Sequence, residues 1–189
     1  MTAEERIFSI VRGGLYAKLP SLALPLGRLT CREGDVDPAG TDGEAAVFAP
    51  GLLRREFLAE SALPERLTLH LLLHLMLGHP WGRQGRARAL WDTACDLAVG
   101  LVRHALLPQE PETPAAFSAR CKLQARRAVR APAIYALLLE QPDALTAEEQ
   151  AAFYLDDHRL WQLSASASAP KTADGVHESR RDPVTSYMM

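Results

Sequence analysis

An apolar run interrupted by spaced histidines dominates the sequence between residues 67 and 79. Leucine fills most of its positions, and His70 and His74 lie four residues apart. A helix is predicted over residues 64–77, with Glu65 in its first turn. The run is too short to span a bilayer. Gly78 is a natural residue to end this helix.

The spacing of the histidines predicts a metal site. Side chains four positions apart share one face of a helix, so the imidazoles of His70 and His74 can point at one cation. Zn²⁺ takes three or four nitrogen, oxygen or sulfur ligands, so the third ligand is expected to be His79 or Asp96. Asp92 lies one turn before Asp96, and it is a second ligand candidate or a carboxylate acceptor for an imidazole N–H. The alternative is that both histidines are core residues hydrogen-bonded to carbonyls.

Composition excludes several classes of protein. The chain has 189 residues, enough for one domain, and 48% of them are hydrophobic. The net charge of −2 provides no basic field, so we expect neither nucleic acid nor membrane as a partner. The three cysteines are widely separated, which argues against a disulfide framework and favours a reducing cytoplasm.

Periodicity and turn signals predict an α+β, mainly helical domain with a small, short-stranded sheet beside the histidine helix. The predicted helices cover residues 3–18, a segment beginning at residue 50, and residues 64–77, 89–107, 114–129, 133–139 and 146–154. Leu52, Leu53 and Phe57 should form the buried stripe of the second helix. Short strands are predicted near residues 28–31 and 45–49, and the rest of residues 20–44 is predicted to be irregular.

A change of composition predicts the domain boundary. An alternating Ser-Ala segment begins at residue 164, and the sequence beyond it is polar without periodicity. We therefore expect a domain over residues 1–163 and a disordered polar tail over residues 164–189.

Two other polar segments have a structural interpretation that we favour at this point. Asp156, Asp157 and His158 could be metal ligands, but the nearby Trp161 favours a segment that anchors the end of the domain. The basic, glycine-containing loop over residues 82–88 is expected to be solvated, although its arginines could also hold a substrate carboxylate.

Six short motifs along the chain together match the pattern of a known family. They are a Leu-Pro pair at 19–20, a Thr-Asp-Gly turn at 41–43, a Pro-x-x-Leu segment at 50–53, the histidine helix at 70–79, a Trp-Asp-x-Ala-x-Asp segment at 91–96 and an Asp-Asp-His-x-x-Trp segment at 156–161. Residues 7–163 thereby resemble the N-terminal metallopeptidase domain of bacterial proteins that carry a von Willebrand factor A-like domain behind it. The resemblance implies a zincin-like fold and a zinc site with His70 and His74 as ligands, completed by His79 or Asp96.

Leu71 departs from the family pattern, which has glutamate between the two histidines. In zinc peptidases of this type the glutamate takes a proton from the metal-bound water. Leucine has no lone pair, and loss of a general base typically costs ~10²–10⁴ in rate. The resemblance therefore implies a zinc-binding domain with impaired or absent peptide hydrolysis, a pseudoenzyme. The alternatives are an active metallopeptidase with a non-standard base and a metal-free helical interaction module.

The partners follow from the same resemblance. We expect the von Willebrand factor A-like domain to be missing here, because a short polar tail follows Trp161. A peptide or protein partner is expected, and a von Willebrand factor A-like domain on another chain is one candidate.

Overall fold

The computed structural model describes residues 2–108 and 130–161, which form a mainly helical domain with one small sheet. The α-helices of these ranges are α1 (Ala3–Lys18), α2 (Ala23–Arg28), α3 (Leu52–Leu58), α4 (Leu63–Met76), α5 (Arg88–Leu106), α6 (Ala131–Glu140) and α7 (Ala147–Phe153). Short 3₁₀ helices occupy Pro20–Leu22, His79–Trp81, Pro142–Ala144 and His158–Leu160. The predicted α+β, mainly helical class is confirmed. The predicted helix at 114–129 and the predicted tail at 164–189 lie outside the described residues.

The sheet has three strands, and the strand that comes last in sequence lies in its middle. The strands are β1 (Thr30–Glu33), β2 (Ala39–Thr41) and β3 (Ala45–Phe48). β3 pairs in parallel with β1 and antiparallel with β2, and all four of its residues are buried. The expected turn between β2 and β3 is present, because Asp42 Oδ1 accepts hydrogen bonds from the backbone N–H groups of Glu44 and Ala45.

Helix ends follow the local signals of the sequence. Thr2 and Glu5 form a capping box at the start of α1, and Thr146 and Glu149 form another at the start of α7. Such a cap satisfies two N–H groups that the first helical turn leaves without partners. Gly78 follows α4 with a left-handed φ of 71°, a conformation that favours glycine at the end of a helix.

Two local predictions are wrong. Phe57 is 39% exposed, whereas Leu52 and Leu53 are buried, because the C-terminal end of α3 runs out to the surface together with the exposed Leu58. Residues 39–41 form β2 rather than irregular chain. The Ala-Gly-Thr sequence has low strand propensity, but pairing with β3 and complete burial override it.

α4 lies at the centre of the domain. Every residue from 67 to 74 is buried, because α4 packs against α1 and α3 on one side and against α5 and the sheet on others. Its leucines belong to the larger of two apolar clusters, while α5, α6 and α7 form the other. No helix in the described part of the chain is both long and apolar enough to cross a membrane.

A close backbone contact joins the sheet to the segment after α7. The N–H of Asp157 donates to the carbonyl oxygen of Ala39 at 2.7 Å, and Asp157 forms a parallel bridge with Gly40. A Cβ atom on Gly40 would lie 2.5 Å from the carbonyl oxygen of Asp157. Only glycine allows the two backbones to approach this closely. The contact therefore holds residues 156–158 against β2.

We predict that Gly40→Ala lowers the free energy of unfolding by about 1–3 kcal/mol, since the added methyl group forces the two backbones apart. Chemical denaturation measures the effect. Gly13→Ala is the matched control, because a Cβ at Gly13 in α1 meets nothing within 4 Å. Its expected effect is neutral or stabilising by up to about 1 kcal/mol. Equal destabilisation by both substitutions would contradict this account of Gly40.

Candidate metal centre

Four buried side chains from three separate segments converge beside α4. His70 and His74 come from α4, Asp96 comes from α5, and Asp156 comes from the segment after α7. Each offers one possible ligand atom, and these atoms all lie within 4.8 Å of one another. The exposure of the four residues is between 0 and 4%. This group is therefore almost completely shielded from water.

The distances between the facing atoms match those around a tetrahedral cation. Nε2 of His70 lies 2.9 Å from Nε2 of His74, 2.9 Å from Oδ1 of Asp156 and 3.7 Å from Oδ1 of Asp96. Nε2 of His74 lies 3.4 Å from Oδ1 of Asp96 and 3.7 Å from Oδ1 of Asp156. Two ligands bound tetrahedrally at about 2.0–2.1 Å from zinc are about 3.3 Å apart. The observed separations lie on both sides of that value.

His158 adds a fifth donor atom to the group. Its Nε2 lies 3.0 Å from Oδ1 of Asp156 and 3.1 Å from Oδ1 of Asp96. Its ring stacks on Trp161, with the ring centroids 3.8 Å apart and the planes 19° from parallel. Stacking fixes the direction of the imidazole, so Nε2 faces the two carboxylates.

The sequence favours a structural role over metal binding for the segment that carries Asp156 and His158. The anchoring role is present, since Trp161 is buried in the second apolar cluster. The missed signal is the Asp-x-His spacing, because alternate residues of an extended segment point to the same side. Asp157 between them points elsewhere and caps the last 3₁₀ helix by accepting a hydrogen bond from the N–H of Arg159 at 2.9 Å.

Protons alone cannot satisfy this arrangement of donor atoms. Nε2 of His70 is 2.9 Å from both Nε2 of His74 and Oδ1 of Asp156, but one ring nitrogen carries at most one proton. Oδ2 of Asp156 is buried without a hydrogen-bond partner. Buried polar atoms of this kind are normally paired. A shared cation would be a partner for converging lone pairs, so these residues fit a metal ion.

The charges in the group are strongly coupled. Burial raises the pKa of Asp96 and Asp156, but the surrounding histidines outweigh it, so the pKa of each carboxyl lies below its usual value. Burial lowers the pKa of His158 and of His70, but the two carboxylates outweigh it and raise both values. Burial keeps the pKa of His74 below normal. The centre thus holds two ionised carboxylates that require positive charge beside them.

The remaining predicted site residues lie around this group. Nδ1 of His79 is 3.0 Å from Nδ1 of His74, so it contacts the other ring nitrogen and not the one that faces the carboxylates. Burial and the neighbouring His74 lower the pKa of His79 to about 3, so this imidazole is neutral at physiological pH. Oδ1 of Asp92 lies 3.8 Å from Nδ1 of His158. The structure therefore brings Asp96 to the pair of histidines and places His79 and Asp92 against outer ring nitrogens.

Two apolar residues near the group lie in the core. Leu71 is fully buried and belongs to the larger apolar cluster. Cys95, next to Asp96 in sequence, is also fully buried. Burial raises the pKa of its thiol, which opposes the thiolate that a nucleophile requires. Cys95 is therefore a core residue and not a nucleophile.

Two surface cavities reach residues of the group. One has a volume of about 260 Å³, and its lining includes His158, Trp161 and Asp92. The other has a volume of about 210 Å³, and its lining includes Asp96, Asp92 and Tyr154. Asp92 therefore borders both cavities, and a ligand could approach the donors from either side.

Comparison with known proteins identifies one family. No curated protein and no solved structure matches the chain. A family model described as "Putative metallopeptidase domain" matches residues 13–183, which is most of the sequence. The residues of the candidate metal centre all lie within the matched range. By this match the chain belongs to that metallopeptidase domain family, and its buried group of two histidines and two aspartates could bind the metal that the family description implies.

Proposed function

We propose that this protein is a zinc-binding, metallopeptidase-like domain in which peptide hydrolysis is weak or absent. The observation that carries the proposal is the convergence of four buried donor atoms within 4.8 Å, contributed by His70, His74, Asp96 and Asp156. Imidazole and carboxylate are both zinc ligands, and two carboxylates would neutralise a divalent cation in this buried position. When bound, such a metal polarises a carbonyl group and lowers the pKa of a bound water.

Two features support weak hydrolysis. Leu71 occupies the position of the motif glutamate, and its side chain lies in the apolar core, where it can neither accept nor donate a proton. The second feature is the number of protein donors. Catalytic zinc sites keep a position open for water, whereas structural sites are closed by four protein ligands. His158 would be a fifth donor beside the four, so few positions would remain for water or substrate.

One observation favours a second candidate, an active metallopeptidase with a non-standard base. Asp92 borders both cavities, and it is not among the four converging residues. A carboxylate in this place could take a proton from a water molecule that lies between it and the metal centre. Burial raises the pKa of Asp92 above its usual value, and the 3.5 Å ion pair between its Oδ2 and Nε of Arg88 opposes this rise only in part.

The partner of the domain is part of the proposal. A metallopeptidase-like site without efficient hydrolysis can still bind a peptide or a protein segment, as the family membership suggests. A von Willebrand factor A-like domain on another chain is a further candidate partner.

We predict that the purified protein contains one equivalent of zinc, and that His70→Ala and Asp156→Ala each abolish it, because each removes a converging donor. Elemental analysis after dialysis measures the metal. His104→Gln is the matched control, since His104 lies near the end of α5 and is not one of the converging residues. Metal-free wild-type protein, or full zinc content in Asp156→Ala, would contradict the proposal and favour the metal-free interaction module.

We predict that His79→Gln keeps a stoichiometric site but weakens zinc binding by about 10–100-fold, because the substitution removes the group that orients His74. Competition with a fluorescent zinc chelator measures the dissociation constant. Complete loss of zinc, as in His70→Ala, would instead make His79 a ligand.

We predict that zinc-loaded wild-type protein hydrolyses casein no faster than Asp156→Ala does. Leu71→Glu tests the missing base and should raise the rate by ~10²–10⁴ if its carboxylate reaches the centre. Thermal unfolding of this variant is measured in parallel, because the new carboxylate replaces a core leucine. Wild-type hydrolysis that is lost in both Asp156→Ala and Asp92→Asn would support the active enzyme instead.

A further inference from the structure

One cavity beside the candidate metal centre is lined by every tryptophan of the chain. The sequence contains three tryptophans, and Trp81, Trp91 and Trp161 all border the cavity of about 260 Å³. The side chains of Arg83 and Arg88 border it as well. His158 also borders the cavity, and its Nε2 faces the carboxylates of the centre. This residue therefore connects the cavity to the donor atoms. An aromatic, basic cavity therefore adjoins the group that could hold the metal.

We propose that this cavity binds the C-terminal residue of a peptide. In this arrangement Arg83 and Arg88 pair with the terminal carboxylate, and the indole rings pack against an apolar side chain of the ligand. The choice of a peptide rests on the proposed function, whereas the choice of a carboxylate rests on the cavity itself.

The charge of the cavity wall favours an anion. Arg83 and Arg88 contribute two positive charges, and Asp92 contributes one negative charge. Asp92 also holds Arg88 in place through the 3.5 Å ion pair between them. Arginine presents a planar fork of N–H donors that matches the two oxygens of a carboxylate. The cavity thus carries a net positive charge next to low-dielectric aromatic walls, which strengthens attraction to an anionic group.

The loop that carries Arg83 is held firmly against the domain. Nη1 of Arg86 donates to the carbonyl oxygens of Gly82 at 2.9 Å and of Arg83 at 3.2 Å. The same guanidinium lies 4.9 Å from the ring centre of Trp91. A Cβ on Gly82 would lie 2.8 Å from the Trp91 ring, so the loop backbone sits directly on this indole. The loop therefore forms part of the cavity wall, while five of the seven residues from 82 to 88 are exposed, as expected for a solvated loop.

The size and aromatic lining suit a single residue. Sites for small molecules have volumes of about 300–1,000 Å³, so a cavity of about 260 Å³, just below that range, suits a small group such as one amino-acid residue. Trp91 and Trp161 are buried, whereas Trp81 is 49% exposed and has part of its ring free for a ligand. Offset or edge contacts with indole rings favour an apolar or aromatic side chain.

Intrinsic tryptophan fluorescence tests the proposal on the whole chain, because all of its tryptophans report on this cavity. The probes are acetyl-alanyl-phenylalanine with a free carboxylate, the same dipeptide as its amide, and inorganic phosphate. We expect a saturable change with the free acid and at least tenfold weaker binding of the amide. Arg83→Gln and Arg88→Gln should each weaken binding of the acid by about tenfold, since each removes a charged hydrogen bond.

Arg54→Gln is the matched control, because Arg54 is an exposed arginine on α3 that does not border the cavity. Equal binding of acid and amide, unchanged binding by both cavity variants, or equally tight binding of phosphate would overturn the proposal.

Zinc content is measured in the same samples and separates the two proposals. Failure of acid-selective binding in fully zinc-loaded protein overturns this inference alone. Acid-selective binding in protein that contains no zinc supports the cavity and contradicts the proposed zinc function.

Discussion

The burial of two carboxylates against three imidazoles is the constraint on which the rest of this structure depends. Removing an ionised carboxylate from water is costly unless positive charge or hydrogen bonds compensate it. Asp96 and Asp156 are at most 4% exposed, and their compensation comes from histidines on α4 and on the C-terminal segment. These segments must therefore stay together, because separating any of them would leave a buried charge without a partner.

The fold meets this constraint by surrounding one helix. α4 is covered on all sides, so its leucines can form the main apolar cluster while His70 and His74 face α5 and the return segment. The return segment is held by β2, where Gly40 admits the backbone of Asp157. The small sheet thus fixes the position of Asp156 and His158 relative to the histidines of α4. Leu71 is one of the leucines in the main apolar cluster, and its side chain contributes to packing.

The candidate metal centre and the aromatic cavity have separate structural bases in this domain. The donors are buried and belong to three rigid segments, whereas the aromatic cavity is formed largely by the loop after α4 and by the first turns of α5. His158 and Asp92 are the links between the two regions.

The sequence by itself determined the features that depend on local periodicity and spacing. It predicted α4 from an apolar run and the shared face of His70 and His74 from their spacing of one helical turn. Tertiary structure alone decided which distant residues join them. Asp156 lies 86 positions from His70, and the contact of Asp157 with β2 helps to hold its Oδ1 2.9 Å from Nε2 of that histidine. Pairing with β3 and burial made a strand of residues 39–41, which have low strand propensity. Local sequence rules cannot predict such contacts, because the free energy that stabilises them comes from pairing and burial between segments that are far apart in the sequence.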